Sequence, residues 1–516
     1  MNYKLLFALL ITTLSVQAQI TEAKLDDVVN RTMKTFNVPG IAVAIIKDGK
    51  VIISKGYGVS NIKTQQKVDG NTLFGIASNS KAFTSAALAM LVDEKKINWD
   101  DKVIKYIPEF KMYNDYVTNE FTIRDLLTHR SGLGLGAGDL MIWPDGHNFT
   151  PKDIIKNIHF LKPVSSFRTK YDYDNLLYVI AGEVIERVSG KTWCDFIDTR
   201  ILKPLQMDHS AASWRFLKDT TNTIVPHVPT NGKLEVIKRY TNPIFDAAAG
   251  IYTSTNDLSK WVITQLNHGK YGTNNENHLF SEAVQKDMWT PQTILPLNNM
   301  KPYSCNFKAY GLGWQLTDIN GHLQVSHTGG LDGIVTQTIM IPDLQLGIIV
   351  LTNQQSGAAF NAISNTIKDS YLGLHFPDHL VTLSSGRKQV EENADKITDE
   401  VWAKVNQNIA SNIQLEPKKI TGIYQDNWFG KISIRQTKGT LRFQSESSPR
   451  LTGSIFYYKD NTYAVKWDNR SLNADAFIHL DIDSNGIATH FKMEAISPLT
   501  DFSFDFQDLD FAKDLE

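Results

Sequence analysis

Ser78-Asn79-Ser80-Lys81 opens the apolar run Ala82-Phe83-Thr84-Ser85-Ala86-Ala87-Leu88-Ala89-Met90-Leu91-Val92, and no charge interrupts that run before Asp93. Alanine, leucine and methionine are strong helix formers, so the stretch predicts a helix buried on nearly all sides. Lys81 then stands at the head of a dry helix. Residues three apart share a helical face, which lets the Ser78 hydroxyl meet the Lys81 amine. Burial and the positive end of the helix dipole both favour the neutral amine. A neutral amine beside a serine hydroxyl is a general base beside a nucleophile. Ser-x-x-Lys alone is a common tetrapeptide, most often a helix cap followed by a solvated lysine, so its weight comes from its setting and from partners elsewhere.

Upstream, Glu22 to Phe36 predicts an amphipathic helix ending before Val38-Pro39-Gly40. Ile41–Ile46 and Val51–Ser54 flank Lys47-Asp48-Gly49-Lys50, which reads as the turn of an antiparallel hairpin. Downstream, helical and loop segments fill the middle of the chain. They include Thr128-His129-Arg130-Ser131-Gly132-Leu133, a glycine-rich stretch through Gly138, and Tyr171-Asp172-Tyr173-Asp174-Asn175 ahead of a helical pattern from Leu176 to Val188. Strand character returns at Leu323–His327, Thr336–Ile341 and Leu346–Leu351. Strands from both ends with helices between them predict an α/β arrangement in which the late strands complete the early sheet. From Ser384 the composition turns polar and helical, which reads as a linker, and beyond it Lys431–Arg435, Thr440–Phe443 and Thr462–Val465 are short strand-like runs of a separate all-β module, a small barrel or sandwich.

With 516 residues, 42% hydrophobic and 21% charged, the chain is long enough for two or more domains. Its 53 basic and 55 acidic residues give a net charge of -2, so charge supplies no case for nucleic acid or an anionic membrane surface. Met1-Asn2-Tyr3-Lys4, the apolar run Leu5–Ile11 and the small residues of Val16-Gln17-Ala18 predict a signal peptide cleaved after Ala18, hence export to the periplasm or the medium. Cys194 and Cys305 could form one disulfide or remain separate thiols.

Other motifs fail on their spacing. Gly-x-Ser-x-Gly is absent. Gly190-Lys191-Thr192 lacks the first glycine of a phosphate loop, Ile185 standing there, and reads as a helix C-cap. Asp481-Ile482-Asp483-Ser484-Asn485-Gly486 lacks the glutamate that closes a calcium loop, Lys492 standing there, and reads as a hairpin turn. The histidines show no metal-ligand spacing, so no catalytic metal and no cofactor is expected.

Three pieces combine: Ser78-x-x-Lys81, Tyr173-x-Asn175 and His327-Thr328-Gly329-Gly330. In this order they resemble the serine β-lactamase and penicillin-binding-protein family, in the branch of class C β-lactamases, D-alanyl-D-alanine carboxypeptidases, D-aminopeptidases and esterases. Tyr310-Gly311-Leu312-Gly313-Trp314 and Leu351-Thr352-Asn353 belong to the likeness, which runs from about Asp26 to about Leu374. The resemblance implies an antiparallel sheet flanked by helices with an all-helical subdomain, and a lipocalin-like β domain after it. The expected division is a signal peptide over 1–18, a hydrolase domain over 19–378, a linker over 379–415 and a β domain over 416–516.

The resemblance also implies roles. Ser78 is the acylated nucleophile, Lys81 its activating partner and Tyr173 the proton shuttle. Asn175, His327, Thr328 and Gly329 bind substrate, and the backbone N–H groups of Ser78 and Gly330 form the oxyanion hole. A phenol of pKa about 10 serves as a base only if cations stabilise its anion, and Lys81 and His327 are the cations available. His129 is assigned to packing. Class C β-lactamases carry lysine where this chain has His327, and a neutral imidazole holds a carboxylate less strongly than an ammonium does. The expectation is therefore a secreted serine hydrolase of esters or peptide amides, with a β-lactamase or a non-catalytic binding protein as alternatives. His327 is expected to gain charge near pH about 6.5 beside a substrate carboxylate. The β module is expected to be dispensable for the chemistry, because all three motifs precede it.

Overall fold

The hairpin at Asp48-Gly49 is present: β1 (Gly40–Lys47) and β2 (Lys50–Gly58) pair antiparallel, and Asp48 and Gly49 have φ of 50° and 72°. Two consecutive left-handed residues make the tight turn whose twist matches that of the strands. The protein was analysed as a computed structural model that describes residues 19–230, 232–297, 301–374, 378–413 and 416–514; the expected signal peptide lies outside the described residues. The late strands are β3 (Thr293–Leu295), β4 (Lys308–Tyr310), β5 (Gln315–Ile319), β6 (His322–Leu331), β7 (Ile334–Ile341) and β8 (Leu346–Thr352). Together they form one antiparallel sheet in the order β2-β1-β8-β7-β6-β5-β4-β3, with Ile45 opposite Ile348.

The helices that cover this sheet include α1 (Glu22–Phe36), α2 (Ser80–Asp93), α3 (Leu176–Ser189), α4 (Thr255–Leu266) and α5 (Gly357–Leu372). Side chains alternate across a strand. Ile41, Val43 and Ile45 accordingly pack with Leu25 and Val28 of α1 and Ile363 and Ile367 of α5. Ala42, Ala44 and Ile46 share the other core with Leu258, Trp261 and Val262 of α4. Burial on both faces is why β1 reads as a continuous apolar run. Helix α2 is buried at every position from Ser80 to Leu91, as its composition predicts.

The polar stretch expected to link two domains is one 32-residue helix, α6 (His379–Ala410), with Ala394, Val401 and Val405 buried. It packs against α5 and against a strand of the C-terminal module, so it acts as a strut. That module is a closed eight-stranded antiparallel barrel, β9 (Gly422–Asp426), β10 (Gly430–Thr437), β11 (Thr440–Ser445), β12 (Thr452–Lys459), β13 (Thr462–Trp467), β14 (Ala476–Ile482), β15 (Ala488–Ala495) and β16 (Asp510–Lys513). Phe443, Trp467, Phe491, Phe506 and Phe511 are all buried, with Phe443 and Trp467 rings 5.3 Å apart and Phe491 and Phe511 rings 4.7 Å apart. These aromatic contacts give the barrel a packed core, which runs on into that of the sheet-and-helix domain.

The smaller expectations meet local geometry. Gly190 caps α3 at φ 70°. Asp483 Oδ1 accepts from the N–H groups of Asn485 and Ile487, fixing the turn between β14 and β15. Cys194 and Cys305 are free thiols. Among the described residues no helix is long and apolar enough to cross a membrane.

Candidate active site

Ser78 lies on a 3-10 turn, Ala77–Asn79, that runs directly into α2. Ala77 holds φ 48°, a left-handed conformation that costs a residue with a Cβ about 1 kcal/mol. The surroundings hold it there. Asn79 Nδ2 donates to Thr336 Oγ1 at 2.9 Å, and Thr336 Oγ1 donates to the Ile76 carbonyl at 2.9 Å, tying the turn to β7. On β6, a Cβ added at Gly329 would fall 2.2 Å from the Ile76 carbonyl, so only glycine lets the strand pass this close to the turn. Gly329, expected to bind substrate, is thus a packing position. Thr328 and Gly330 line a cavity with Ser78.

Lys81 is fully buried behind Ser78. Its Nζ lies 3.1 Å from Ser78 Oγ, 2.7 Å from Asn175 Oδ1 and 3.2 Å from the Ala248 carbonyl. The last two partners only accept. A neutral amine matches this set in number, with two N–H groups for the carbonyl oxygens and one lone pair for the Ser78 hydroxyl. Burial pushes the amine down to about 7, against the pull of the Asp139 and Asp174 carboxylates. Asn175, just ahead of α3, keeps its amide oriented by donating from Nδ2 to Asp139 Oδ2 at 2.7 Å. Asp139 went unnoticed in the sequence. It is fully buried, one of its oxygens has no partner among the described residues, and burial holds its carboxyl well above the usual range.

Tyr173 is brought to the same place from the segment before α3. Its hydroxyl interacts with Ser78, and Lys81 Nζ lies 4.8 Å from its ring centroid. Burial nevertheless holds the phenol well above pKa 10, which keeps it protonated. His129 packs as expected. Its ring lies 4.1 Å from that of Tyr173, its Nδ1 accepts from the Asp174 N–H at 3.1 Å, and burial keeps it neutral. Asp174, another residue the sequence did not single out, is raised to about 7 by burial, while the N–H groups of Leu177 and Leu176 pull the other way.

His327 departs from expectation. The imidazole is 2% exposed and both nitrogens are engaged, Nδ1 at 2.6 Å from the Thr328 carbonyl and Nε2 at 2.9 Å from the Tyr310 hydroxyl. A carbonyl can only accept, so Nδ1 carries the proton and Nε2 receives the Tyr310 proton. Burial, reinforced by Lys81, lowers its pKa to about 3. A titration near 6.5 that places a cation beside substrate does not fit this ring. Nor is it a cation that would stabilise a Tyr173 phenolate.

The C-terminal module enters the site, contrary to the expectation that it stands apart. Ser78, Tyr173, Asn175, His327, Thr328 and Gly330 line a cavity of about 290 Å³ whose wall also includes Asp501, Phe502 and Ser503, from the loop between β15 and β16. The Phe502 ring meets the Tyr173 ring edge-on at 5.9 Å. Ser503 Oγ donates to Asp139 Oδ2 at 3.0 Å, and the Asp505 carboxylate accepts from Gly138 N at 2.6 Å and Leu140 N at 3.0 Å. A line of polar contacts therefore runs from the barrel loop through Asp139 and Asn175 to Lys81. Gly136, at φ 71°, gives the loop room, since a Cβ there would sit 2.6 Å from the Phe502 carbonyl oxygen. The glycine-rich stretch before Asp139 was the one sequence signal of this close approach.

Known proteins resemble this chain in sequence and in fold. A family model described as Beta-lactamase matches residues 25–371, and one described as a domain of unknown function, DUF3471, matches residues 412–513. The chain is 28% identical over 367 residues to an unguisins hydrolase of Aspergillus campestris, covering 69% of this chain and 64% of that protein. It is also 28% identical over 340 residues to the protein flp of Staphylococcus aureus, covering 65% of this chain and 64% of that protein. The matched region thus spans less than two thirds of either relative. The octameric penicillin-binding protein homologue from Pyrococcus abyssi shares the fold, with a TM-score of 0.61 and 21% identity over 96% of this chain and 100% of that one.

Proposed function

Because the chain belongs to the Beta-lactamase family, we propose that it is a serine hydrolase that cleaves esters or peptide amides through an acyl-enzyme on Ser78. The observation that carries this reading is Lys81 Nζ, 3.1 Å from Ser78 Oγ and lowered to about 7. A base with its pKa near the working pH both exists in the free form and drives proton transfer. In this reading the Lys81 lone pair takes the Ser78 proton as Oγ attacks the substrate carbonyl. The backbone N–H groups of Ser78 and Gly330 receive the developing oxyanion. Tyr173, protonated at rest, relays a proton from Lys81 to the leaving group. Lys81 then activates the water that releases the acyl group. Asn175 holds the amine in line through its contact with Asp139.

A β-lactamase reading is less well supported, since His327 offers no cation to a substrate carboxylate. The N-terminal stretch before Gln19 supports an exported enzyme. A fluorophosphonate probe tests the core of the proposal. It should add covalently to Ser78, as seen by intact mass and peptide mapping, and labelling that persists undiminished in Ser78→Ala would overturn the assignment.

A further inference from the structure

Helix α2 does more at the site than present Lys81. Ser80, Lys81 and Thr84 are all fully buried on it. Lys81 and Thr84 stand three residues apart and Ser80 and Thr84 four, so they face the same neighbour. That neighbour is one short segment, the helical turn Asp246–Ala249 and the residues just after it. Thr84 Oγ1 donates to the Ala247 carbonyl at 2.6 Å, Lys81 Nζ donates to the Ala248 carbonyl at 3.2 Å, and Ser80 Oγ accepts the Ile251 N–H at 3.1 Å. Consecutive carbonyls of the turn are therefore held by side chains one helical turn apart.

Thr84 is itself fixed from a third direction. A threonine inside a helix commonly turns its hydroxyl back onto the carbonyl four residues earlier. Here the hydroxyl donates outward to Ala247 and accepts the Trp193 indole N–H at 2.9 Å. Trp193 is buried and begins the short helix Trp193–Ile197. The next residue, Cys194, reaches the head of the same turn, with Sγ 3.5 Å from Asp246 Oδ2. On α3, a Cβ added at Gly182 would fall 2.7 Å from the Ala247 Cβ, so glycine there is what lets the turn settle against that helix. The turn is clamped on three sides, and Phe245 and Ala249 at its ends line the cavity.

The neutral Lys81 amine keeps a lone pair for Ser78 only while two carbonyl oxygens take its two N–H groups. One of them, Asn175 Oδ1, is oriented through Asp139. The other is the Ala248 carbonyl. We propose that Thr84, held by Trp193, is a positioning residue for the reaction of Ser78: its hydroxyl fixes the Asp246–Ala249 turn so that the Ala248 carbonyl takes one N–H of Lys81 and the lone pair faces Ser78. The inference rests on the hydrolase reading above. Thr84 does not line the cavity, so it acts through the turn. A carbonyl that accepts from an amine favours the charged form, so a turn that drifts from Lys81 both misaligns the base and lowers its pKa further.

The test uses the full chain and p-nitrophenyl butyrate, with kcat/KM followed across pH and each rate divided by the sites titrated with a fluorophosphonate. Thr84→Val keeps the shape and removes the hydroxyl. It should lower the plateau of kcat/KM by about tenfold or more, toward the roughly 10²-fold that a 1 Å misplacement costs, and move the limb near 7 to lower pH. Thr84→Ser keeps the hydroxyl and should return the limb to its wild-type place with most of the plateau. Trp193→Phe should move the limb the same way with a smaller loss. A merely structural role lowers the active fraction and leaves the limb where it was. A plateau equal to wild type in Thr84→Val, a limb that stays or moves up, or a Thr84→Ser that behaves as Thr84→Val overturns the proposal. If Thr84→Val does not fold, the limb of Trp193→Phe decides on the same criterion. Hydrolysis lost in Ser78→Ala keeps the hydrolase reading standing when the positioning role fails, and hydrolysis that survives in Ser78→Ala removes both.

Discussion

The cavity around Ser78 has two walls of different origin. One is built by the N-terminal domain, where Ser78 Oγ, Asn175 Oδ1 and the Ala248 carbonyl lie 2.7 to 3.2 Å from the single buried amine of Lys81 and the Tyr173 ring centroid lies 4.8 Å from it. The other is a loop of the barrel, where Asp501, Phe502 and Ser503 reach the same space and Asp505 anchors them to the Gly138–Leu140 backbone. The first wall holds the groups suited to bond making. The second encloses them and adds the Asp501 carboxylate to the cavity lining. The barrel's own interior is filled with aromatic side chains, so its contribution to the site is made through this loop.

Removing the base should divide the two walls most sharply. Lys81→Met is expected to lower kcat/KM on an uncharged p-nitrophenyl ester by about 10²- to 10⁴-fold, the range of general-base catalysis. In the wild type the same parameter should rise with pH through about 7 and level off above it, because the active form is the neutral amine. A pH profile with no limb in that region would separate Lys81 from proton transfer.

Next in size is the anchor of the barrel loop. Asp505→Ala leaves two buried backbone N–H groups without their acceptor and should lower stability by about 1 to 3 kcal/mol, read by urea unfolding. Unfolding unchanged within error would mean that the loop is not held by this residue, and that the barrel wall is independent of the motif wall after all.

Ser503→Ala should have a smaller effect that crosses between the walls. Loss of one hydrogen bond of about 0.5 to 1.5 kcal/mol corresponds to a several-fold fall in kcat. The sign of the accompanying pH shift follows from the contacts. The Ser503 hydroxyl favours ionised Asp139, and ionised Asp139 raises Lys81. Without Ser503 the limb near 7 should move to lower pH, and a limb that stays in place would break the link through Asp139 and Asn175.

The smallest expected effect belongs to His327. With both nitrogens engaged and its pKa lowered to about 3, it should contribute no charge step between about pH 5 and 8. Asp332 also lines the cavity, and burial pushes its carboxyl up to about 7. The rate of Ser78 acylation by benzylpenicillin relative to an uncharged ester should show no rise on acidification that Asp332→Asn does not abolish. A rise that remains in that variant would restore the histidine as a charge facing substrate.

Much of this protein is legible along the chain. The buried helix behind Ser78, the Asp48-Gly49 hairpin and the late strands that complete the sheet each rest on a local rule: helix propensity, turn conformation, or the apolar run of a strand covered on both faces. The pairing of Ser78 with Lys81 is legible too, because residues three apart share one helical face. Tertiary structure alone decided the rest. Histidine titrates near pH about 6.5 in water, and only its neighbours reveal that this imidazole is enclosed and hydrogen-bonded on both sides. Asp139, Ser503 and Asp332 carry no periodicity and no spacing, and Ser503 lies 364 positions from the carboxylate it touches. The side chains that perform a reaction are constrained by distance along an element, which sequence records. Those that set its charge and close its cavity are constrained only by distance in space, which sequence does not record until the chain has folded.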